Sequence, residues 1–173
     1  MSLMQNRMKK ILYSLLLMLF LGACSANLET KEIETPTMEL LAEGPLFEGA
    51  NTTTATWEFD LSELLGGEES KISKAKVTSI EVMLQESDDL PALEKMVLEM
   101  TSKNTSMIRL GLHEGEFQAK EWIGLNVADK QENLAKAFED GRITFVGDFD
   151  LLDDEFWGNV QFQLRVKFEL GIK

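Results

Sequence analysis

Five acidic side chains near the carboxyl-terminal end of the chain form its most suggestive chemical cluster. They are Asp148, Asp150, Asp153, Asp154 and Glu155. Carboxylate oxygens at alternating positions of a loop suit Ca²⁺, which takes roughly six to eight oxygen ligands at ~2.3–2.6 Å. The order departs from an EF-hand, because Leu152 stands at the fifth position and Asp153 where glycine is needed. The cluster is therefore a candidate calcium site, but the favoured interpretation is a solvated acidic loop between the last two strands.

Catalytic chemistry has few residues to use. His113 is the sole histidine, and it precedes Glu114, Gly115 and Glu116 in a predicted hairpin turn. A histidine base needs a nucleophile and an orienting partner, and no motif supplies either of them. A glycoside hydrolase needs two carboxylates facing across a cleft, and spacing singles out no such pair. We therefore expect a non-enzymatic protein with an exposed turn histidine, and the alternative is a carboxylate-dependent glycoside hydrolase.

Three tryptophans offer flat aromatic faces of the kind that can stack on a sugar. Trp57 is in phase with Phe59 along a predicted strand, so we expect it in the core. Trp122 and Trp157 lie near predicted strand ends and are the candidate ligand-binding residues. Packing against the domain is the alternative for both.

The only cysteine, Cys24, follows Leu21-Gly22-Ala23 at the end of an apolar run that begins at Ile11. An arginine and two lysines precede this run within residues 7–10. The run is shorter than the ~20 apolar residues that span a bilayer, and the whole pattern is that of an export signal. The Leu-Gly-Ala-Cys sequence resembles the lipobox of bacterial lipoproteins. The resemblance implies that residues 1–23 are removed and that Cys24 carries lipid, including palmitate.

Lipidation would place the protein in the cell envelope, with the membrane as its partner through the lipid. Each buried methylene stabilises attachment by ~0.8 kcal/mol, and two or more chains anchor a protein durably. In lipoproteins of enteric bacteria an aspartate directly after the lipidated cysteine favours the inner membrane, whereas here Ser25 follows. The resemblance therefore implies an outer-membrane protein, on its periplasmic or its surface face.

Charge limits the partners of the mature chain. The sequence has 30 acidic and 17 basic residues, a net charge of −13. Removal of the signal takes away three basic residues, which leaves 30 against 14 and a net charge near −16. Nucleic-acid binding depends on basic patches that neutralise phosphate, so we expect no nucleic-acid partner. With Cys24 lipidated, no thiol is left for a disulfide or a thiolate metal site, and we expect no cofactor unless calcium binds.

The domain organisation follows from composition. Residues 24–49 are polar and acidic, with Thr35-Pro36-Thr37 and Gly44-Pro45 as breakers, and are predicted to be a lipidated tether. Residues 50–173 are predicted to form one domain, in which alternation of apolar and polar side chains dominates. The clearest case is residues 160–170, where every second side chain is apolar. Weaker alternation predicts six further strands over 57–61, 75–84, 96–100, 108–112, 122–127 and 143–149, with a bulge near Thr78.

Helical signals are few. Residues 129–140 are predicted to be helical, with Asp129 as the N-cap and Gly141 just past the end, and residues 61–65 could form another turn. About seven strands with one short helix predict an all-β fold, an antiparallel β-sandwich of Ig-like or jelly-roll type. The strand pattern loosely resembles small β-sandwich lipoproteins of the Bacteroidota. We expect a non-enzymatic binding or structural module. The alternatives are a carrier of an apolar ligand between the sheets and a carbohydrate-binding surface lipoprotein.

Overall fold

The computed structural model describes residues 29–67 and 71–173. The predicted signal peptide and the predicted lipidation site, Cys24, lie outside the described residues. Within those ranges the chain forms ten strands and two short helices. They are β1 (Glu29–Glu34), β2 (Met38–Ala42), β3 (Leu46–Glu58), α1 (Leu61–Leu65), β4 (Ile72–Leu84), β5 (Leu93–Ser102), β6 (Thr105–Glu116), β7 (Trp122–Gly124), β8 (Asn126–Val127), a 3-10 helix (Leu134–Phe138), β9 (Arg142–Phe156) and β10 (Val160–Ile172). Neither helix in the described part of the chain is long and apolar enough to cross a membrane.

The strands form two antiparallel sheets, which confirms the predicted all-β sandwich. In the first sheet β1 and β2 lie one after the other along one side of β10, and β4 and then β7 follow on the other side. The second sheet has the order β3-β9-β5-β6-β8. The inner faces of the two sheets enclose the core.

The alternation along β10 gives the core face that the sequence predicted. Its apolar side chains are fully buried: Val160, Phe162, Leu164, Val166, Phe168 and Leu170 are 0% exposed. The predicted bulge in β4 is also confirmed, because Lys167 pairs with Ser79 and the next residue of β10 pairs with Val77, which leaves Thr78 unopposed. The extra residue changes the phase of β4, so that Val77 and Ile80 both face the core.

The segment predicted to be a tether, residues 24–49, belongs to the sandwich from residue 29 onward. β1 and β2 pair with β10, and the side chains of Met38, Leu40 and Ala42 are buried in the core. The buried side chain of Thr35 joins the two strands to the sheet, because its hydroxyl accepts a hydrogen bond of 3.1 Å from the Val166 amide. The described part of the sandwich therefore begins at residue 29 and not at residue 50. The short apolar groups of this segment can pack into the core because one edge of β10 is open for β1 and β2 to pair with.

The predicted helix over 129–140 is replaced by the five-residue 3-10 helix, whose N-cap is Asn133 and not Asp129. The side chain of Gln131 accepts a hydrogen bond from the Val77 amide (2.7 Å) and donates to the Val77 carbonyl (2.9 Å). Asn133 pairs in the same way with the amide of Ala75 (3.0 Å) and the carbonyl of Ser73 (2.9 Å). These side chains cover the edge of β4. Because their hydrogen bonds hold residues 131–133 extended, the helix begins only at Leu134.

Candidate functional site

The sandwich has two ends that differ in what they carry. At the proximal end β1 begins, and Glu29 pairs with Ile172, which in turn pairs with Ile72 of β4. At the distal end β2 stops where β10 begins, with Ala42 opposite Val160. The distal end consists of the β2–β3 turn (residues 43–45), the β4–β5 loop (85–92), the β9–β10 turn (157–159) and the strand residues next to them. β10 alone spans 13 residues, so the two ends lie about 40 Å apart.

Exposed apolar side chains concentrate at the distal end. In the described part of the chain five large hydrophobic side chains are exposed, and four of them belong to this end: Trp157 at 72%, Phe47 at 57%, Leu152 at 45% and Leu41 at 44%. We call these four the distal apolar cluster. The fifth, Met107, lies near the β5–β6 turn at the proximal end. Such grouping marks this end as a candidate binding surface.

Two glycines fix the turns that carry the cluster. A Cβ atom on Gly44 would lie 2.6 Å from the carbonyl oxygens of Trp157 and Gly158, so only glycine allows the two turns to approach so closely. The Gly44 amide donates a hydrogen bond of 3.1 Å to the Asn159 side chain across the same contact. A Cβ on Gly158 would lie 2.7 Å from the Phe156 ring. The close approach of the two turns beside Trp157 therefore depends on glycine at residues 44 and 158.

A groove of about 430 Å³ opens beside Trp157, between the β4–β5 loop and the start of β10. It is lined by Leu41, Gln85, Glu86, Ser87, Asp88, Asp89, Leu90, Phe156, Gly158, Asn159 and Gln161. Amides, a hydroxyl and carboxylates therefore stand next to apolar side chains. The Nε2 atom of Gln85 is buried and has no hydrogen-bond partner among the described residues. This distal groove can hydrogen-bond a ligand and offer it apolar contacts.

A second groove, of about 510 Å³, lies near the proximal end. Its polar walls include Gln131 and Asn133, whose side chains are already hydrogen-bonded to the backbone of β4. Lys76 and Glu169, also in its wall, form an ion pair of 2.8 Å. Because these polar groups are already engaged in hydrogen bonds or an ion pair within the fold, this groove is the weaker candidate for a binding site.

The distal end is strongly acidic. Seven of its exposed carboxylates make no ion pair with any residue that the structure describes: Glu43, Glu48, Asp88, Asp89, Asp153, Asp154 and Glu155. Glu86 is paired with Lys120, and Lys95 with Asp150. The end therefore carries a negative potential that favours cationic groups.

The acidic cluster proposed for calcium lies on β9 and not in a loop. Three of its members already have separate partners: Asp148 accepts a hydrogen bond from Thr52 (2.6 Å), Asp150 contacts Lys95 (3.3 Å), and Asp153 accepts from the Ala92 amide (2.9 Å). The other residues of the cluster, Asp154 and Glu155, are exposed. Phe47 pairs with Glu155 and Gly49 with Leu151, so residues 152–154 bulge outwards. Within the described ranges, no three acidic, histidine or cysteine side chains are placed to share a metal ion.

The two candidate ligand-binding tryptophans differ in accessibility. Trp122 is half-buried on β7, and the guanidinium carbon of Arg165 lies 3.8 Å from its ring centroid. Arg165 also contacts Glu81 at 3.3 Å, so one face of the indole is covered by a fixed cation. Trp157 projects from the β9–β10 turn with most of its surface free. Trp57 is 5% exposed, which confirms its predicted place in the core.

The sequence analysis predicted that His113 lies in an exposed turn, and this prediction is wrong. β6 continues to Glu116, and the half-buried imidazole packs edge-on against Phe117 with the ring centroids 5.0 Å apart. Its Nε2 atom has no hydrogen-bond partner in the described part of the chain. The prediction took Gly115 as the sign of a turn, but the structure accommodates this glycine within β6.

No protein-family model matches the chain, and no curated protein matches it in sequence. Several solved structures match the chain with low identity and low TM-scores. The human norovirus GI.7 virus-like particle is 10% identical with a TM-score of 0.43; the match covers 87% of this chain, which spans only 36% of the norovirus chain. Turnip yellow mosaic virus is 9% identical with a TM-score of 0.31, over 84% of this chain and 94% of that chain. A carbohydrate-binding module of the β-sandwich superfamily is 8% identical with a TM-score of 0.32, over 82% and 57%.

Proposed function

We propose that this chain is a lipid-anchored protein of the cell envelope, whose sandwich is a non-enzymatic binding module with the distal end as its binding surface. The lipobox-like sequence before Cys24 supports the anchor. One structural observation carries the rest: β1 starts at the proximal end, and the exposed apolar side chains gather at the opposite end. Such an arrangement presents a binding surface away from the point of attachment.

Chain length supports this orientation. Five residue steps separate Cys24 from Glu29, a distance of at most about 18 Å in a fully extended chain. The anchor therefore holds the proximal end close to the bilayer, and the distal end lies about 40 Å further along the strands. Ser25 after the lipidated cysteine favours the outer membrane as the site of attachment, as the lipoprotein resemblance implies.

The apolar-carrier alternative receives less support. A carrier needs open space between the sheets, but this interior is occupied by fully buried rings, including Phe145 and Phe149. Phe149 and Phe162 meet across the sheets with centroids 5.2 Å apart. Density of this kind is typical of a solid protein core, and it favours a surface site over an internal one.

Carbohydrate binding is the second candidate. The free face of Trp157 and the amides of Gln85, Asn159 and Gln161 in the adjoining groove support it, because rings and hydrogen-bonding groups together can hold a sugar. A glycoside hydrolase has less support. The carboxylates of the distal groove, at residues 86, 88 and 89, follow one another on a single loop, whereas hydrolysis needs two carboxylates on opposite sides of the bond.

The anchor is tested by the substitution Cys24→Ser. Metabolic labelling with a fatty-acid analogue should mark the parent protein and leave the variant unlabelled, with the precursor unprocessed or released. Ser25→Ala is the matched control and should keep its label. Equal label in the Cys24→Ser variant would refute lipidation at this residue.

A further inference from the structure

We infer that the distal end docks a protein partner that presents lysine or arginine side chains around an exposed aliphatic or aromatic side chain. The inference rests on the proposed function in taking the distal end as the binding surface that the anchor leaves free. It goes further by stating the chemistry of the occupant. Two properties of the distal end carry it, its apolar cluster and its unpaired charge.

The distal apolar cluster has the composition of a protein interface. Its members come from β2, β3, β9 and the β9–β10 turn, so both sheets contribute exposed apolar side chains to this end of the fold. Tryptophan and phenylalanine are enriched at the centres of protein interfaces, where a polar rim surrounds them. A sugar stacks on an aromatic face and hydrogen-bonds to polar neighbours. The aliphatic side chains of Leu41 and Leu152 supply neither kind of contact. These aliphatic neighbours favour a protein over a glycan.

The charge around the cluster indicates the sign of the partner. Five of the seven unpaired carboxylates lie within a few residues of an apolar side chain of the cluster along the chain: Glu43, Glu48, Asp153, Asp154 and Glu155. The strand pairing also places Glu155 opposite Phe47. The other two, Asp88 and Asp89, line the distal groove together with Leu41. Exposed charges act over ~8 Å at physiological salt. Such a surface attracts a basic partner and speeds its association, while it repels anionic lipid and other polyanions.

The distal end is also prepared for docking. The close contact of Gly44 with the β9–β10 turn and the hydrogen bond to Asn159 hold the two turns together before any partner arrives. A surface whose backbone is already ordered loses less conformational entropy on binding.

Site-specific photocrosslinking in intact host cells tests the inference on the full chain. A photoreactive amino acid replaces Phe47 in one variant and Leu152 in another. The same replacement of Met107 is the control, because the exposure of Met107 is between those of Phe47 and Leu152 but Met107 lies at the proximal end. Both distal variants should give the same protein adduct, and the Met107 variant should not. Mass spectrometry of the adduct should place the crosslink on a partner segment that carries lysine or arginine beside an apolar residue.

A charge-neutral variant supplies the second readout. Glu48→Gln, Asp154→Asn and Glu155→Gln together remove three exposed, unpaired carboxylates next to the cluster. Adduct yield at position 152 should fall about tenfold, as expected for the loss of three modest charge contacts. The matched control neutralises three exposed acidic residues of the proximal half, by Glu63→Gln, Glu139→Gln and Asp140→Asn, and should leave the yield unchanged.

Several outcomes would overturn the inference. Three of them concern the adduct itself: adducts only with lipid or glycan, a crosslinked partner segment without basic residues, or no protein adduct from folded protein at either distal position. Two concern the controls: adducts at Met107 equal to those at the distal positions, or an adduct yield that does not change in the charge-neutral variant. Its failure is separable from failure of the anchor. If the Cys24→Ser variant loses the fatty-acid label and no distal adduct forms, the anchor is supported and the docking surface is refuted. If charge-dependent adducts form but the parent protein is not lipidated, the docking surface is supported and the anchor is refuted.

Discussion

The substitution Phe162→Ala tests the packing that joins the two sheets. Phe162 is fully buried on β10 and lies in register with Leu40 on one side and Leu84 on the other. Its ring meets Phe149 of the second sheet at 5.2 Å and Phe117 at 5.5 Å, both edge-on. Removal of the ring therefore opens a cavity at the centre of the sandwich, bounded by both sheets.

The size of the loss follows from these contacts. Truncation of a buried phenylalanine costs ~3–5 kcal/mol through lost transfer energy and the cavity that remains. The two aromatic pairs, each worth ~0.5–1.5 kcal/mol beyond its area, place Phe162 in the upper part of that range, so we expect about 4–5 kcal/mol. Domains of this kind have a total free energy of unfolding of ~5–15 kcal/mol, so Phe162→Ala removes a large part of it and a milder substitution at the same position is measured beside it. Phe162→Leu keeps most of the volume and should cost ~1–2 kcal/mol.

Urea denaturation followed by tryptophan fluorescence measures the free energy of unfolding of each variant. The protein used should span residues 25–173, because β1 and β2 belong to the sandwich. Gln163→Ala, on the opposite face of β10, is the matched control and should change the free energy by less than ~0.5 kcal/mol. Comparable losses at Phe162 and Gln163 would show that the assigned register or burial of β10 is wrong.

Three further predictions concern the periphery of the fold. Gln131→Ala should destabilise the protein by ~1–3 kcal/mol, because it leaves the Val77 amide and carbonyl on the edge of β4 without partners; hydrogen exchange at Val77 should accelerate, and an unchanged exchange rate would contradict the assignment. Hydrogen bonds from Ser62 and Glu63 at the start of α1 hold the pKa of Asp60 below its usual range. The stability that Asp60 contributes is therefore present above the ordinary aspartate pKa and lost as pH falls through its lowered value, so Asp60→Ala should lower the urea midpoint at neutral pH and change it less in strong acid. Several millimolar Ca²⁺ at constant ionic strength should not raise the melting temperature, because three carboxylates of the β9 cluster already have partners; a calcium-specific rise would restore the metal-site hypothesis.

The sequence by itself determined the elements whose signals are local. Alternation over residues 160–170 predicted β10 and its core face, since a strand places successive side chains on opposite sides of a sheet. The out-of-phase apolar residues of β4 predicted the bulge at Thr78. The export signal before Cys24 is likewise a local pattern, and it stays a prediction because it lies outside the described residues.

Tertiary structure alone decided what depends on partners distant in the chain. Met38, Leu40 and Ala42 became part of the core because β10, more than a hundred residues later, left an edge for β2. The segment before the 3-10 helix stayed extended because Gln131 and Asn133 found the open edge of β4, a contact that no local propensity contains. In the same way, the distal apolar cluster exists only because turns from opposite parts of the chain meet at one end. Burial and exposure are properties of the assembled sandwich, so a single apolar residue such as Phe47 or Trp157 could not be assigned to the surface from its own neighbours.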